Sequence, residues 1–192
     1  MPRTAKQNQA IREEAKGKLI ESAMTIFANQ GFANASIRKI AAEAGVSLGL
    51  LYHYFASKDE LLQAVFEHCM ERLGQGFSGV YEIEEPLAQV GYLLDQIFFE
   101  LRTDPLFWGL FASLRSQPAV MPILGESLKH WTGHLRELFQ HSFDRVGRPE
   151  PEVDAYLIYS LVEGAIQQYL LDPENYPLDA VIRRIKLQFE IQ

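Results

Sequence analysis

A single cysteine, Cys69, stands in 192 residues. No intramolecular disulfide can form, and no Cys-x-x-Cys pair is present to hold zinc or exchange thiols. Long apolar runs are absent: none approaches the ~18 residues of a membrane span. The opening residues, MPRTAKQNQAIREE, are polar and lack the apolar core of a secretory leader, so a cytoplasmic location and no membrane partner are expected. Neither a glycine-rich phosphate loop nor Gly-x-Ser-x-Gly occurs, and there is no strand alternation, internal repeat or low-complexity tract. His130 and His134 have the i, i+4 spacing of metal ligands, with His141 seven residues on. No third ligand is placed as in a zinc signature, so a solvated histidine face is the simpler reading. No metal, cofactor or enzymatic activity is expected. What remains, 47% hydrophobic and 22% charged, is the composition of a globular chain with ample core.

The most informative stretch is residues 36–60, SIRKIAAEAGVSLGLLYHYFASKDE. Ile37, Ile40, Ala41 and Ala44 share one helical face. Gly45 follows where a helix ends in a left-handed residue. Val46 can plug the corner, and Ser47 offers an oxygen to the free amides of the next helix. In that helix Leu51, Tyr54 and Phe55 lie on one side, suited to a small core, and Leu48, Gly49, Tyr52 and His53 lie on another. A glycine inside a helix costs roughly 1 kcal/mol against alanine, which close approach to DNA would offset. These are the parts of a helix-turn-helix, the unit that sets its second helix in the major groove. A helical hairpin in an ordinary bundle is the plainer alternative.

The segment resembles the DNA-binding domain of TetR-family transcriptional repressors. The matching residues are Ile40-Ala41, Ala44-Gly45-Val46-Ser47, Leu51-Tyr52, Tyr54-Phe55, Ser57-Lys58 and Glu60-Leu61, with Ile20, Ala23, Phe27, Gly31 and Phe32 upstream. The resemblance covers about residues 11–66. It implies DNA contact by Arg38, Ser47, Leu48, Gly49, Tyr52, His53 and Lys58. Tyr52 and Lys58 would hold phosphates, and Arg38 a guanine or a phosphate. Leu48 departs from the polar residue often found at its place and would pack on a thymine methyl.

Charge is unevenly spread. Residues 1–60 carry eight Lys and Arg against six Asp and Glu, or +2; residues 61–192 carry ten against nineteen, or −9. A mildly basic head on an acidic body confines attraction for nucleic acid to one end. Arg3, Lys6, Arg12, Lys16 and Lys18 could track phosphates, although a solvated tail is the commoner fate of such termini.

The rest reads as helices, giving an all-α chain: a flexible arm at 1–10, a helix-turn-helix domain at 11–56, and a helical effector-binding and dimerisation domain at 57–192. Apolar spacing predicts a helix over 11–29. Ser57-x-x-Glu60 is a capping box for one that runs to about Arg72, where Gly74, Gly76 and Gly79 open a linker-like stretch to residue 86. Pro86 and Asp104-Pro105 open helices to about Thr103 and over 105–116. Further helices are expected over about 123–145, 152–171 and from Pro177 to about Phe189.

Two features of the body carry function. The 152–171 helix is apolar nearly all round, so it is buried on two sides. TetR-like proteins usually pair two C-terminal helices per subunit, so the resemblance implies a homodimer through Leu161, Gly164, Ile182 and Ile185; one large monomeric core is the alternative. Phe98, Phe107, Trp108, Phe111 and Trp131, with Tyr159 and Glu163 beyond, could line an apolar pocket or simply pack. The resemblance implies a pocket there for an effector that releases DNA. The expected protein is thus a dimeric DNA-binding regulator, a repressor released from a pseudo-palindromic operator in double-stranded DNA by a small apolar effector. The alternatives are a dimeric DNA binder without an effector, and a small-molecule-binding or enzymatic bundle with a borrowed DNA-binding domain.

Overall fold

The computed structural model of the chain describes residues 5–192, with side chains from Ile11 onward. Among these residues it forms α-helices and one short 3-10 helix, with no strand. In chain order the helices are α1 (Ala5–Gln30), α2 (Ile37–Glu43), α3 (Leu48–Tyr54), α4 (Lys58–Phe77), the 3-10 helix Ser78–Glu82, α5 (Pro86–Thr103), α6 (Pro105–Ser116), α7 (Met121–Arg145), α8 (Pro151–Leu171) and α9 (Leu178–Gln188).

Local chemistry explains most of these limits. Glu60 N donates to Ser57 Oγ at 3.1 Å, and Glu60 Oε2 accepts from Ala56 N at 2.6 Å, so both halves of a capping box form. Asp104 ends α5 and turns its carboxylate to Phe107 N at 3.0 Å, so one residue closes one helix and starts the next. Three expectations are revised. Helix α1 reaches back to Ala5, into the expected arm; Arg3 and the side chain of Lys6 lie outside the described residues. Helix α4 continues through Gly74 and Gly76 to Phe77. Leu73 and Phe77 are buried, and burying each is worth about 2 kcal/mol, more than a glycine costs a helix. Helix α7 begins at Met121, with Pro122 in its first turn, where the missing amide hydrogen has no partner to lose.

The chain divides into two compact units, with a boundary at residues 72/73. The first runs to Arg72 and takes in Ser113–Leu124; the second holds Leu73–Ala112 and Gly125–Gln192. The capping box marks where α4 starts, but Leu61, Leu62, Val65 and Phe66 are buried and keep most of α4 with the first unit. That unit's core is built from Leu19, Ala23, Phe27, Ile40, Leu51 and Phe55. The second centres on Leu93, Leu94, Phe98, Phe139, Ile158 and Ile182, with the rings of Phe143 and Phe189 stacked at 5.6 Å.

Candidate DNA-binding site

The turn between α2 and α3 forms as its residues dictate. Gly45 adopts φ +67°. Val46 N donates to Ala41 O at 3.0 Å and Gly45 N to Ala42 O at 3.1 Å, a paired closure that satisfies the last carbonyls of α2. Ala41 is buried and Val46 half-buried at the corner. Ser47 Oγ accepts from Leu50 N at 3.1 Å and caps α3. Leu51 and Phe55 turn into the core. Gly49, Tyr52 and His53 stay exposed on the opposite side of α3, and Leu48 is half-buried at its start. Arg38, with its neighbour Lys39, is exposed on α2. Lys39 is a candidate that the motif reading did not single out.

Gly49 has no structural duty inside the chain. Its φ is ordinary, and an added Cβ would meet nothing within 4 Å. The glycine therefore serves neither backbone nor packing, and the space it leaves opens outward. Gly49→Ala is expected to raise stability by about 1 kcal/mol through helix propensity while weakening DNA binding. Thermal melting and gel shift on one preparation check this, and unchanged affinity would remove Gly49 from the interface.

Lys58, for which the resemblance implies a phosphate contact, is engaged within the head. It is half-buried, and its ammonium donates to three backbone carbonyls: Phe32 O at 2.8 Å, Ala33 O at 3.2 Å and Ala35 O at 3.3 Å. The same ammonium lies 4.5 Å from the centre of the Phe32 ring. An ammonium has three donors, so all are engaged in tying the start of α4 to the turn between α1 and α2. The sequence places Lys58 correctly in the motif but does not show which acceptors it faces.

Comparison with known proteins decides what this head belongs to. Residues 19–65 match the family model described as bacterial regulatory proteins, tetR family. Residues 19–65 are thus a tetR-family DNA-binding segment. Almost its whole length is similar to the HTH-type transcriptional regulator PksA of Bacillus subtilis (strain 168), 24% identical over 190 residues and covering 95% of this chain and 91% of that one. Its fold is similar to that of a transcriptional regulator from Rhodococcus sp. Rha1, with a TM-score of 0.80 at 23% identity over 91% of this chain and 94% of that one. It is also similar in fold to the transcriptional regulator FadR from Bacillus subtilis, solved in complex with stearoyl-CoA, with a TM-score of 0.73 at 19% identity over 88% of this chain and 94% of that one. The chain is a DNA-binding transcriptional regulator, and α3 is the second helix of its helix-turn-helix.

In the second unit of this regulator, the seven aromatic and polar residues expected around an effector fall into several groups. Phe98 is fully buried on α5. Phe107, Trp108 and Phe111 on α6 pack ring on ring, with centroids 5.3–6.2 Å apart. Tyr159 Oη donates to Glu163 Oε1 at 2.6 Å along α8. Trp131 stacks on Phe77 at 6.2 Å and is the one of the seven that lines a pocket of about 80 Å³ between α4, the 3-10 helix and α7. Gly74, Phe77, Val80, Leu135 and Leu138 also line it; several lie in a stretch the sequence presents as a linker. Trp108 Nε1 is buried with no acceptor. No group of three or more His, Cys, Asp or Glu among the described residues could hold a metal.

The expected dimer residues divide in two. Ile182 and Ile185 are buried within the chain itself and are not free to meet a partner. The apolar stripe of α9 therefore faces its own unit. Helix α8 does leave an apolar face uncovered: Val153 and Leu157 are 55% and 44% exposed, Leu171 is 79% exposed, and Gly164 is exposed beside half-buried Leu161. Leu187 on α9 is 69% exposed. Among the described residues no helix is long and apolar enough to cross a membrane.

Proposed function

We propose that the regulator works as a homodimeric repressor in the cytoplasm, the compartment of bacterial DNA. Its two heads sit on a pseudo-palindromic operator, and a small, largely apolar effector releases it. The observation that carries the DNA-binding part is the exposed face of α3, where Gly49, Tyr52 and His53 stand clear of a core closed by Leu51 and Phe55. Arg38 and Lys39 supply adjacent charge. The uncovered stripe of α8 supports self-association, since an isologous contact brings the same patch of two chains together. Two heads then meet half-sites about 34–36 Å apart or a multiple of this.

The effector part rests on the pocket at Phe77 and Trp131 and on the buried indole N–H of Trp108. A buried donor without an acceptor costs about 1–3 kcal/mol; a ligand that offers an acceptor there recovers it. A pocket of about 80 Å³ is about half the ~150 Å³ that admits benzene. Anything larger than a few methylenes must part the walls, which couples binding to a change of shape. A fold neighbour, the Bacillus subtilis FadR, was solved with stearoyl-CoA, which supports a long apolar ligand.

Gel shift on DNA from upstream of the protein's own gene tests the reading. A shift is expected whose affinity falls with salt, and Arg38→Ala is expected to lower the slope of log K against log salt by about 0.9 if it holds a phosphate, or to relax one base position if it reads a guanine. Absence of any shift on that DNA and on a random-sequence pool would reject DNA binding by this head.

A further inference from the structure

We infer that residues 76–84 form a strap over the pocket at Phe77 and Trp131, fastened by Tyr92 and hinged at Ile83 and Glu84. The device lies wholly within the second unit. The strap contributes Phe77, Val80 and Tyr81 to the wall of the pocket, and α7 contributes Trp131, Leu135 and Leu138. The last carbonyls of α4 have no partner within their own helix. Ser78 Oγ donates to Gln75 O at 2.8 Å, and Tyr92 Oη, from α5, donates to Gly76 O at 3.0 Å. Gly79 leaves the room for that hydroxyl: a Cβ there would stand 2.6 Å from Tyr92 Oη. The other end is held more heavily. Ile83 O accepts from Gln89 Nε2 at 2.7 Å, and Glu84 O accepts from Arg145 Nη2 at 2.8 Å. Gln89 Oε1 accepts in turn from the hydroxyl of buried Ser142 at 3.2 Å.

This uneven fastening makes the strap the wall that yields. Val80 is the one buried residue of the 3-10 helix, and Tyr81 beside it is 69% exposed. A 3-10 helix has poorer hydrogen-bond geometry than an α-helix, and this one has five residues against the 25 of α7 across the pocket. Lifting the strap about Ile83 parts the Tyr92 hydroxyl from Gly76 and leaves the contacts of Gln89 and Arg145 whole. The closed pocket of about 80 Å³ takes a single heavy atom or a few methylenes. A ring the size of benzene enters only when the strap lifts, since it needs a space of ~150 Å³. Tyr92 is therefore a positioning residue that sets the size of apolar molecule admitted. The inference deepens the proposed effector site and rests on that reading for its biological meaning, but its test needs neither DNA nor the natural effector.

Two probes of different size test the strap. Xenon fits the closed pocket, and benzene requires it to open. Each is titrated into the full chain, and the amide chemical shifts of Val80 and Leu135 read binding. Tyr92→Phe removes the fastening and keeps the ring. Benzene is expected to bind this variant roughly two- to ten-fold more tightly than the unaltered chain, the range of one net hydrogen bond, while xenon binding stays the same. Gly79→Ala reaches the same end from the strap's own side, because its Cβ displaces the hydroxyl, and it should bring the same gain for benzene alone. A substitution that merely loosened the unit would change both probes together. Failure of either variant to strengthen benzene binding, an equal gain for xenon, or absence of both probes from the pocket overturns the inference. If benzene responds as expected while no apolar compound releases the protein from DNA, the effector reading falls and the strap stands.

Discussion

Ile182→Asp is expected to unfold the body, whereas Leu157→Glu is expected to give folded monomers. Ile182 is buried on α9 among the second unit's own residues, and a carboxylate placed there without a partner costs more than about 4 kcal/mol. Loss of the helical circular-dichroism signal, or collapse of the melting transition, checks this. A folded, soluble Ile182→Asp monomer would return that residue to the interface. Leu157 lies on the uncovered stripe of α8 with Val153 one turn before it and Leu161 one turn after. A charge there should change melting of the isolated subunit by no more than about 0.5 kcal/mol, yet it opposes a second charge across a two-fold axis. Sedimentation at micromolar concentration should show a monomer, and operator affinity should fall because two heads no longer bind as one. Persistence of the dimer would place the interface elsewhere.

Lys58→Met is expected to weaken the head without changing how DNA binding responds to salt. The methionine keeps an apolar stem over the Phe32 ring and removes the ammonium that holds three carbonyls. Hydrogen bonds from a charged donor contribute about 1.5–3 kcal/mol, and water recovers part of this at the exposed edge of the turn. The melting midpoint should drop accordingly, and operator affinity should fall at every sequence alike. The slope of log K against log salt should stay fixed, since no phosphate contact has gone. A slope reduced by about 0.9 would show that Lys58 meets a phosphate after all.

The contrast between these two residues shows what sequence can carry. Helix positions followed from short-range chemistry: Gly45, Ser47, Ser57 with Glu60, and the prolines at 86 and 105 all act on neighbours within a turn or two, so their spacing reveals them. The recognition motif was legible for the same reason. Ile182 was misplaced because an apolar stripe states that a face is buried but not against what; its own unit and a second copy satisfy the pattern equally. The carbonyl contacts of Lys58 were not legible because its acceptors lie 23–26 residues away, beyond any local signal. Gln117 accepts from Phe32 N, 85 residues away, and stands between the end of a helix and two prolines, where the pattern reads only as an interruption. Gly74 and Gly76 suggested a break because composition shows their cost but not the burial of Leu73 and Phe77 that exceeds it.

The commitment of Lys58 to the interior of the head bears on how the protein finds its target. Sliding along DNA depends on cations that bind any phosphate indifferently. Here one cation of the motif is spent on backbone carbonyls, and residues 61–192 carry −9, which repels the duplex. Dwell times on random DNA should therefore be short and only shallowly salt-dependent, with search dominated by three-dimensional excursions rather than long one-dimensional scans. A regulator that rests little on the wrong sites leaves more of its copies dissolved, where a change in effector concentration reaches them at once.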